Sequence, residues 1–215
     1  MIEKNQIICG DCIEVMKDWP DNSVDLVLTD PPYGLNNKMQ GGTWGIAYRR
    51  GDMQEWDYVV EQKDIDIVIA KGKNAIVWGM NNYISKPSRC WLVWKKPYFP
   101  TMSDCEMAWT SFDRPCKVYS HNRIGNQNGH PTEKPLSLMV WCLENYSQPT
   151  DLILDPFCGS GTTCVAAKML GRNYIGIDIS PEYCEIARQR LEAVDTGVPV
   201  KEQRKGQMPL FKEKP

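Results

Sequence analysis

Two segments of this chain place an acidic residue in a turn directly after an apolar, strand-like run. Asp30-Pro31-Pro32-Tyr33 follows residues 24–29, and Asp155-Pro156-Phe157-Cys158-Gly159-Ser160-Gly161-Thr162-Thr163 follows residues 152–154. Open α/β sheets bind their ligands at the carboxyl ends of their strands. We therefore expect both segments to bind ligands.

The residues of the second segment favour a ligand that carries both a positive and a negative group. Gly159-Ser160-Gly161 opens a predicted helix, and exposed helix N–H groups bind anions. A dinucleotide fingerprint would add a third glycine where Thr163-Cys164 stands, and Asp155 would repel a pyrophosphate. The same carboxylate suits an ammonium, and S-adenosylmethionine carries an ammonium and a carboxylate on its methionyl end. Asp178, which ends the next apolar run, is placed like the acid that accepts ribose hydroxyls.

The first segment has the residues to bind an amino group. An exocyclic adenine amine is a poor nucleophile because its lone pair is delocalised into the ring. The carboxylate of Asp30 and a backbone carbonyl could accept both of its N–H bonds. Pro31 and Pro32 fix φ and remove two donors, which leaves carbonyls for a ligand, and Tyr33 offers a face on which an extruded base can stack. The alternative is a proline-stiffened loop without a ligand.

Strands and helices alternate along the chain, which predicts a doubly wound, mostly parallel sheet. The predicted strands are residues 7–8, 24–29, 75–78, 91–94, 105–110, 152–154 and 174–177. The predicted helices follow Asp11, cover 58–70, start near Pro135, cover 163–170, and follow Ser180. Residues 1–195 should form one catalytic domain, in which 34–57 and 111–130 are candidate DNA-contacting loops, and residues 196–215 should form a polar tail.

Composition excludes several classes of protein. The 215 residues are 42% hydrophobic and 24% charged, which is typical of a soluble globular domain. No apolar run approaches the roughly 18 residues of a membrane span, and no signal peptide is recognisable, so a cytoplasmic location is expected. The net charge of −2 means that any nucleic acid must be bound by a local basic patch. The nine cysteines lack zinc-like spacing and predict reduced thiols and no metal site.

These motifs resemble the amino-methyltransferases that act on adenine N6 or cytosine N4 of DNA, from about Ile7 to Leu191. Asp30-Pro31-Pro32-Tyr33 is similar to the family's catalytic motif and Asp155 to Thr163 to its cofactor loop. Gly10-Asp11-Cys12 resembles the segment that contacts the cofactor's adenine. His130-Pro131-Thr132-Glu133-Lys134-Pro135 is similar to the motif that helps to enclose the methionine moiety. The catalytic motif precedes the cofactor loop, as in the circularly permuted β subgroup.

The resemblance implies a Rossmann-like, seven-stranded methyltransferase sheet with one antiparallel strand. Asp11, Asp30, Asp155 and Asp178 would then lie at the ends of neighbouring central strands. The implied cofactor, S-adenosylmethionine, would be bound by a larger set of residues: Asp11, Cys12, Asp30, Thr132, Lys134, Asp155, Phe157, Gly159, Ser160, Gly161, Thr162 and Asp178. The methyl group would pass by direct displacement, without a metal or a covalent enzyme intermediate.

The first residue of the catalytic motif indicates the target base. In this family an aspartate there favours adenine, serine is commoner in cytosine enzymes, and asparagine is typical of enzymes that modify protein glutamine. Asp30 therefore favours N6 of adenine in DNA. Cytosine N4, RNA adenine, and an inactive DNA-binding protein tethered to the replication clamp remain alternatives.

Two further expectations concern partners. Candidate phosphate contacts are Lys38, Arg49, Arg50, Lys95, Lys96 and Arg123. Because no segment is long enough for a large target-recognition domain, we expect a short recognition site or help from a second copy in a homodimer. Gln207-Met208-Pro209-Leu210-Phe211 resembles the peptide with which bacterial replication proteins bind the sliding clamp, and a solvated tail is the alternative.

Overall fold

A computed structural model describes residues 2–33, 60–96, 103–120 and 134–197 of the chain. Over these ranges the fold is an eight-stranded sheet with five α-helices packed on its two faces. The strands are β1 (Gln6–Cys9), β2 (Val24–Thr29), β3 (Gly72–Trp78), β4 (Trp91–Lys95), β5 (Cys105–Thr110), β6 (Lys117–Ser120), β7 (Leu152–Asp155) and β8 (Asn173–Asp178). The helices are α1 (Cys12–Met16), α2 (Gln62–Lys71), α3 (Leu136–Tyr146), α4 (Thr162–Met169) and α5 (Pro181–Thr196).

The sheet has the strand order β1-β8-β7-β2-β3-β5-β4-β6. Neighbours pair in parallel except around β5, which runs antiparallel to both β3 and β4. The predicted fold class, with one antiparallel strand, is confirmed. The described residues give eight strands rather than seven, because residues 117–120 of the expected loop 111–130 pair with β4. β1 lies at the sheet edge rather than in its centre.

Local sequence sets the helix starts that matter for the ligand edge. Asp11 caps α1, since its Oδ1 accepts the N–H groups of Ile13 at 2.9 Å and Glu14 at 3.0 Å. Ser180 caps α5 through the Tyr183 N–H at 3.4 Å, and Pro181 occupies the first turn. Helix α2 forms as predicted despite its run of β-branched residues, because Ile65 and Val68 are buried against the sheet.

Two apolar clusters enclose the sheet. One joins β-strand side chains to α3, α4 and α5, and the other joins the opposite side chains to α1 and α2. All nine cysteines are free thiols, as the sequence predicts. Among the described helices, none is long and apolar enough to cross a membrane.

Candidate active site

Four carboxylates lie at the ends of four adjacent strands. In the order β1, β8, β7 and β2, these strands place Asp11, Asp178, Asp155 and Asp30 along one edge of the sheet. Neighbouring strands are about 4.8 Å apart, so the four strands span roughly 14 Å. The convergence expected from the sequence is therefore present, with the one difference that β1 is the edge strand.

Asp155 is the most buried of the four carboxylates and is tied to the strand beside it. It is 5% exposed, and its Oδ1 accepts the Thr29 hydroxyl at 2.7 Å and the Phe157 N–H at 3.3 Å. Burial raises the pKa of Asp155 to about 6, against the opposing hydrogen bonds from Thr29 and Thr163. The charge of Asp30 raises this pKa further, so the two acids interact electrostatically.

The glycines of the cofactor loop have backbone conformations that other residues rarely adopt. Gly159 has φ 49° and Gly161 φ 81°. A Cβ at Gly161 would lie 2.7 Å from the Cβ of Ala187 in α5, so this glycine also allows α5 to approach closely. The turn is held from α5 by Arg190, which donates to the Ser160 carbonyl at 2.7 Å and the Thr162 hydroxyl at 3.1 Å. Sequence reasoning missed Arg190, which reads as an ordinary helical charge.

Asp178 connects the cofactor loop to the strand next to it. Its Oδ2 accepts the Gly159 N–H at 2.8 Å and its Oδ1 the Ser180 N–H at 2.9 Å. Burial raises the pKa of Asp178, whereas these two N–H groups oppose the shift. Each oxygen has a second lone pair, so the carboxylate can still accept a hydroxyl from a ligand.

The remaining predicted cofactor contacts near the edge differ in exposure. Asp11 is exposed, whereas Cys12 is buried among apolar side chains. Burial, followed by the charges of Asp11 and Asp64, raises the pKa of the Cys12 thiol to about 12. A thiol with this pKa is unreactive, so Cys12 can contribute packing and backbone groups but no thiolate. Phe157 is half-buried beside the same cluster.

The segment from Asp30 to Tyr33 is held in place by its own tyrosine and by a second one. The Tyr33 hydroxyl donates to Asp30 Oδ1, and the Tyr83 hydroxyl donates to the Pro32 carbonyl. The Tyr33 ring lies against Gly79, where a Cβ would come within 2.0 Å of the ring. Gly79 also has φ 67°, so both the space and the backbone favour glycine here.

Lys134, a predicted cofactor contact, lies beside Asp30 rather than beside the segment from Asp155 to Thr163. Its ammonium is 2.5 Å from Asp30 Oδ2, 3.0 Å from Glu106 Oε2 and 3.5 Å from the Tyr33 hydroxyl. Burial by itself would lower the pKa of Lys134, but the charges of Asp30 and Glu106 raise it well above its usual range. Sequence reasoning missed Glu106, because nothing near it in the sequence marks it as a site residue.

Of the candidate phosphate contacts, the structure describes Lys95 and Lys96. Lys95 is exposed at the end of β4, whereas Lys96 is 6% exposed and pairs with Glu106. An enclosed, paired ammonium does not present its charge to a phosphate, so the position of Lys96 does not suit that expected role. The other predicted contacts and segments lie outside the described residues: Lys38, Arg49, Arg50, Arg123, Thr132, residues 34–57 and the peptide from Gln207 to Phe211.

Sequence comparison identifies relatives along nearly all of the chain. A family model described as DNA methylase (N6_N4_Mtase) matches residues 57–189, more than half of the chain. YubD of Escherichia coli (strain K12), whose name assigns it to the methylases, is 33% identical over an alignment 224 positions long, which covers 88% of this chain and 91% of YubD. The type II methyltransferase M.HinfI of Haemophilus influenzae is 29% identical over 88% of this chain and 69% of that protein.

Solved structures give the same result for the fold. The crystal structure of the M1.HpyAVI–SAM complex matches with a TM-score of 0.56 and 26% identity, over 86% of this chain and 98% of that one. The cytosine-N4-specific PvuII DNA methyltransferase matches with a TM-score of 0.61 over 97% and 95% of the two chains. Its identity is 18%, so this likeness supports the fold alone. The chain belongs to the N6/N4 DNA methylase family.

Proposed function

We propose that this protein transfers a methyl group from S-adenosylmethionine to the exocyclic N6 amine of adenine in DNA. The observation that carries the proposal is the meeting of two motifs at adjacent strand ends. Asp30 follows β2 and Asp155 ends β7, and the Thr29 hydroxyl joins the two strand ends through its 2.7 Å hydrogen bond to Asp155. An acceptor amine at Asp30 would therefore lie beside a methyl donor at Asp155.

The groups along the edge fit the chemical groups of S-adenosylmethionine. Asp155 would bind the methionyl ammonium, the N–H groups at the start of α4 the methionyl carboxylate, and Asp178 the ribose hydroxyls. Asp11 and Cys12, at the far end of the row, would border the adenine ring. When bound, the cofactor supplies an electrophilic methyl group on a positively charged sulfur.

The catalytic segment would hold the target amine by its two N–H bonds. Asp30 would accept one of them, and the Pro31 carbonyl would accept the other. The Tyr83 hydroxyl, which donates to the Pro32 carbonyl, would help to fix the backbone of this segment. Withdrawing both hydrogens towards acceptors favours tetrahedral nitrogen and a lone pair directed at the methyl group. The base must leave the helix stack to reach this position, as base-modifying enzymes require.

Adenine is favoured over cytosine by the acid at position 30. Cytosine N4 is the second candidate, because the family includes N4 enzymes and the PvuII enzyme shares the fold. We expect that DNA incubated with the protein and S-adenosylmethionine bearing a deuterated methyl group will yield labelled N6-methyldeoxyadenosine on digestion and mass spectrometry. Labelled N4-methyldeoxycytidine would select the cytosine reading instead. In a parallel incubation with RNA, label in RNA alone would support an RNA methyltransferase. The absence of label from both nucleic acids would support the inactive clamp-tethered protein.

Tyr33 provides a second test, because its ring and its hydroxyl have separable roles. Tyr33→Ala should lower kcat/KM on DNA by roughly 10- to 100-fold, since stacking contributes about 1–3 kcal/mol per base. Tyr33→Phe retains the ring and frees the Asp30 Oδ1 atom that the hydroxyl now occupies, so its kcat/KM should stay within about threefold of wild type. Equal losses in both variants would contradict stacking as the role of this residue.

A further inference from the structure

Lys134 is placed between two carboxylates that come from distant parts of the fold. Its ammonium is 2.5 Å from Oδ2 of Asp30, directly after β2, and 3.0 Å from Oε2 of Glu106, the second residue of the antiparallel strand β5. The Lys134 side chain is 8% exposed, and the Glu106 Oε2 atom is shielded from solvent. Ion pairs with two carboxylates restrict an ammonium that could otherwise take several positions on its flexible stem.

The second oxygen of Glu106 is also engaged. Glu106 Oε1 pairs with the ammonium of Lys96, whose side chain is 4% exposed and which also lies 4.9 Å from the centre of the Trp94 ring. Asp30, Lys134, Glu106 and Lys96 therefore form a row of alternating charges that sums to zero, which we call the ion-pair chain. Burial opposes ionisation of Glu106, but Lys134 and Lys96 together lower its pKa to about 2. Glu106 is therefore ionised throughout the neutral pH range.

The ion-pair chain determines which oxygen of Asp30 remains for a ligand. Lys134 occupies Oδ2, whereas Oδ1 accepts the hydroxyl of Tyr33. That hydroxyl uses one lone pair of Oδ1, so the second lone pair can accept a hydrogen bond from the acceptor amine. We propose that Glu106 and Lys96 are positioning residues, which hold the Lys134 ammonium on Oδ2 of Asp30 and so direct Oδ1 at the acceptor amine. This inference rests on the proposed function, because it requires Asp30 to bind that amine.

A purely structural role for Glu106 makes a different prediction. β4 and β5 already pair along their whole length, and the Lys96 N–H donates to the Asp104 carbonyl at 2.9 Å. If Glu106 only strengthened this pairing, its loss would lower stability and would affect catalysis and cofactor binding together. A positioning role requires kcat to fall while cofactor affinity is retained.

The test is Glu106→Gln, which keeps the size of the side chain and removes its charge. We expect kcat for DNA methylation to fall roughly 10- to 100-fold, because misplacement by about 1 Å has effects of this size. The Kd for S-adenosylmethionine and the KM for DNA should stay within about threefold of wild type. Glu106→Asp, which keeps the charge, should recover part of the lost kcat. Adding Lys96→Met to Glu106→Gln restores charge balance and should recover thermal stability without recovering kcat.

Asp21→Asn is the matched control. It removes a carboxylate 3.1 Å from Lys71, whose side chain is 10% exposed at the opposite edge of the sheet. Its kcat should equal that of wild type. A kcat for Glu106→Gln within about twofold of wild type would overturn the inference, as would equal losses of kcat and cofactor affinity. Should Glu106→Gln fail to fold, the charge-balanced double variant decides by the same two measurements. A wild-type protein that methylates no DNA base would overturn the proposed function itself.

Discussion

Asp30→Asn should reduce kcat for methyl transfer to DNA by at least ~10²-fold while leaving S-adenosylmethionine binding within a few-fold of wild type. The asparagine side chain cannot accept a hydrogen bond from both groups that Asp30 would face, the Lys134 ammonium and the acceptor amine. If its NH₂ group faces Lys134, two donors oppose each other at the present 2.5 Å contact. If the NH₂ group turns to the other side, it presents a donor to the N–H of the acceptor amine. In either orientation one interaction that the proposed mechanism needs is lost.

Single-turnover transfer of a labelled methyl group measures the chemical step, and calorimetric titration measures cofactor affinity. Asp113→Asn is a suitable control, since that carboxylate is 83% exposed, pairs with Arg89, and lies beyond the opposite end of β5. Asp30→Ala should be at least as inactive as Asp30→Asn. Retention of more than about a tenth of wild-type kcat in Asp30→Asn would show that Asp30 does not orient the amine.

Asp155→Asn should have opposite effects on stability and on cofactor binding. The folded-state pKa of about 6 exceeds the value of about 3.9 for an unfolded aspartate. The folded protein therefore binds the extra proton between about pH 4 and 6, and this group's contribution to stability falls as pH rises through that window. The difference of about 2 pKa units corresponds to roughly 3 kcal/mol, so the variant should be more stable than wild type by up to about that amount at pH 7.

The same substitution should weaken S-adenosylmethionine binding by about 2 kcal/mol or more, roughly 30-fold, because it removes the partner of a desolvated ammonium. In wild type the ammonium favours the ionised acid, so affinity should rise between pH 5 and 7, whereas in Asp155→Asn it should be nearly constant. Urea unfolding and titration calorimetry at several pH values measure the two effects. 5′-Methylthioadenosine lacks the methionyl ammonium, and its affinity should respond to neither pH nor the substitution. A variant that binds S-adenosylmethionine as tightly as wild type at pH 7 would contradict the assignment.

Much of the ligand edge could be predicted, because it is specified by local sequence. Each of Asp11, Asp30, Asp155 and Asp178 stands where an apolar run ends, and parallel strands end at the same edge of a sheet. Helix caps such as Ser180 are equally local.

The partners of the acids could not be predicted, because they come from distant segments. Lys134 is 104 residues from Asp30 in the sequence, and Asp155 is 126 residues from Thr29. Glu106 and Arg190 look like ordinary strand and helix charges until the fold brings them to the site. Gly79 gives no sign in the sequence that the Tyr33 ring will lie against it.

Local sequence was enough to predict the alternation of strands and helices and the order of the two turns that follow β2 and β7, since these depend on apolar periodicity and turn residues within short windows. The groups that surround the carboxylate of Asp30 depend on the tertiary fold, which brings them from distant segments. Lys95 and Lys96 are an example. As adjacent residues at a strand end they face opposite directions, and local sequence does not say which of them faces inward. Packing places Lys96 against Glu106 and leaves Lys95 exposed. A desolvated charge must be paired, so the fold determines which of the two cations belongs to the site.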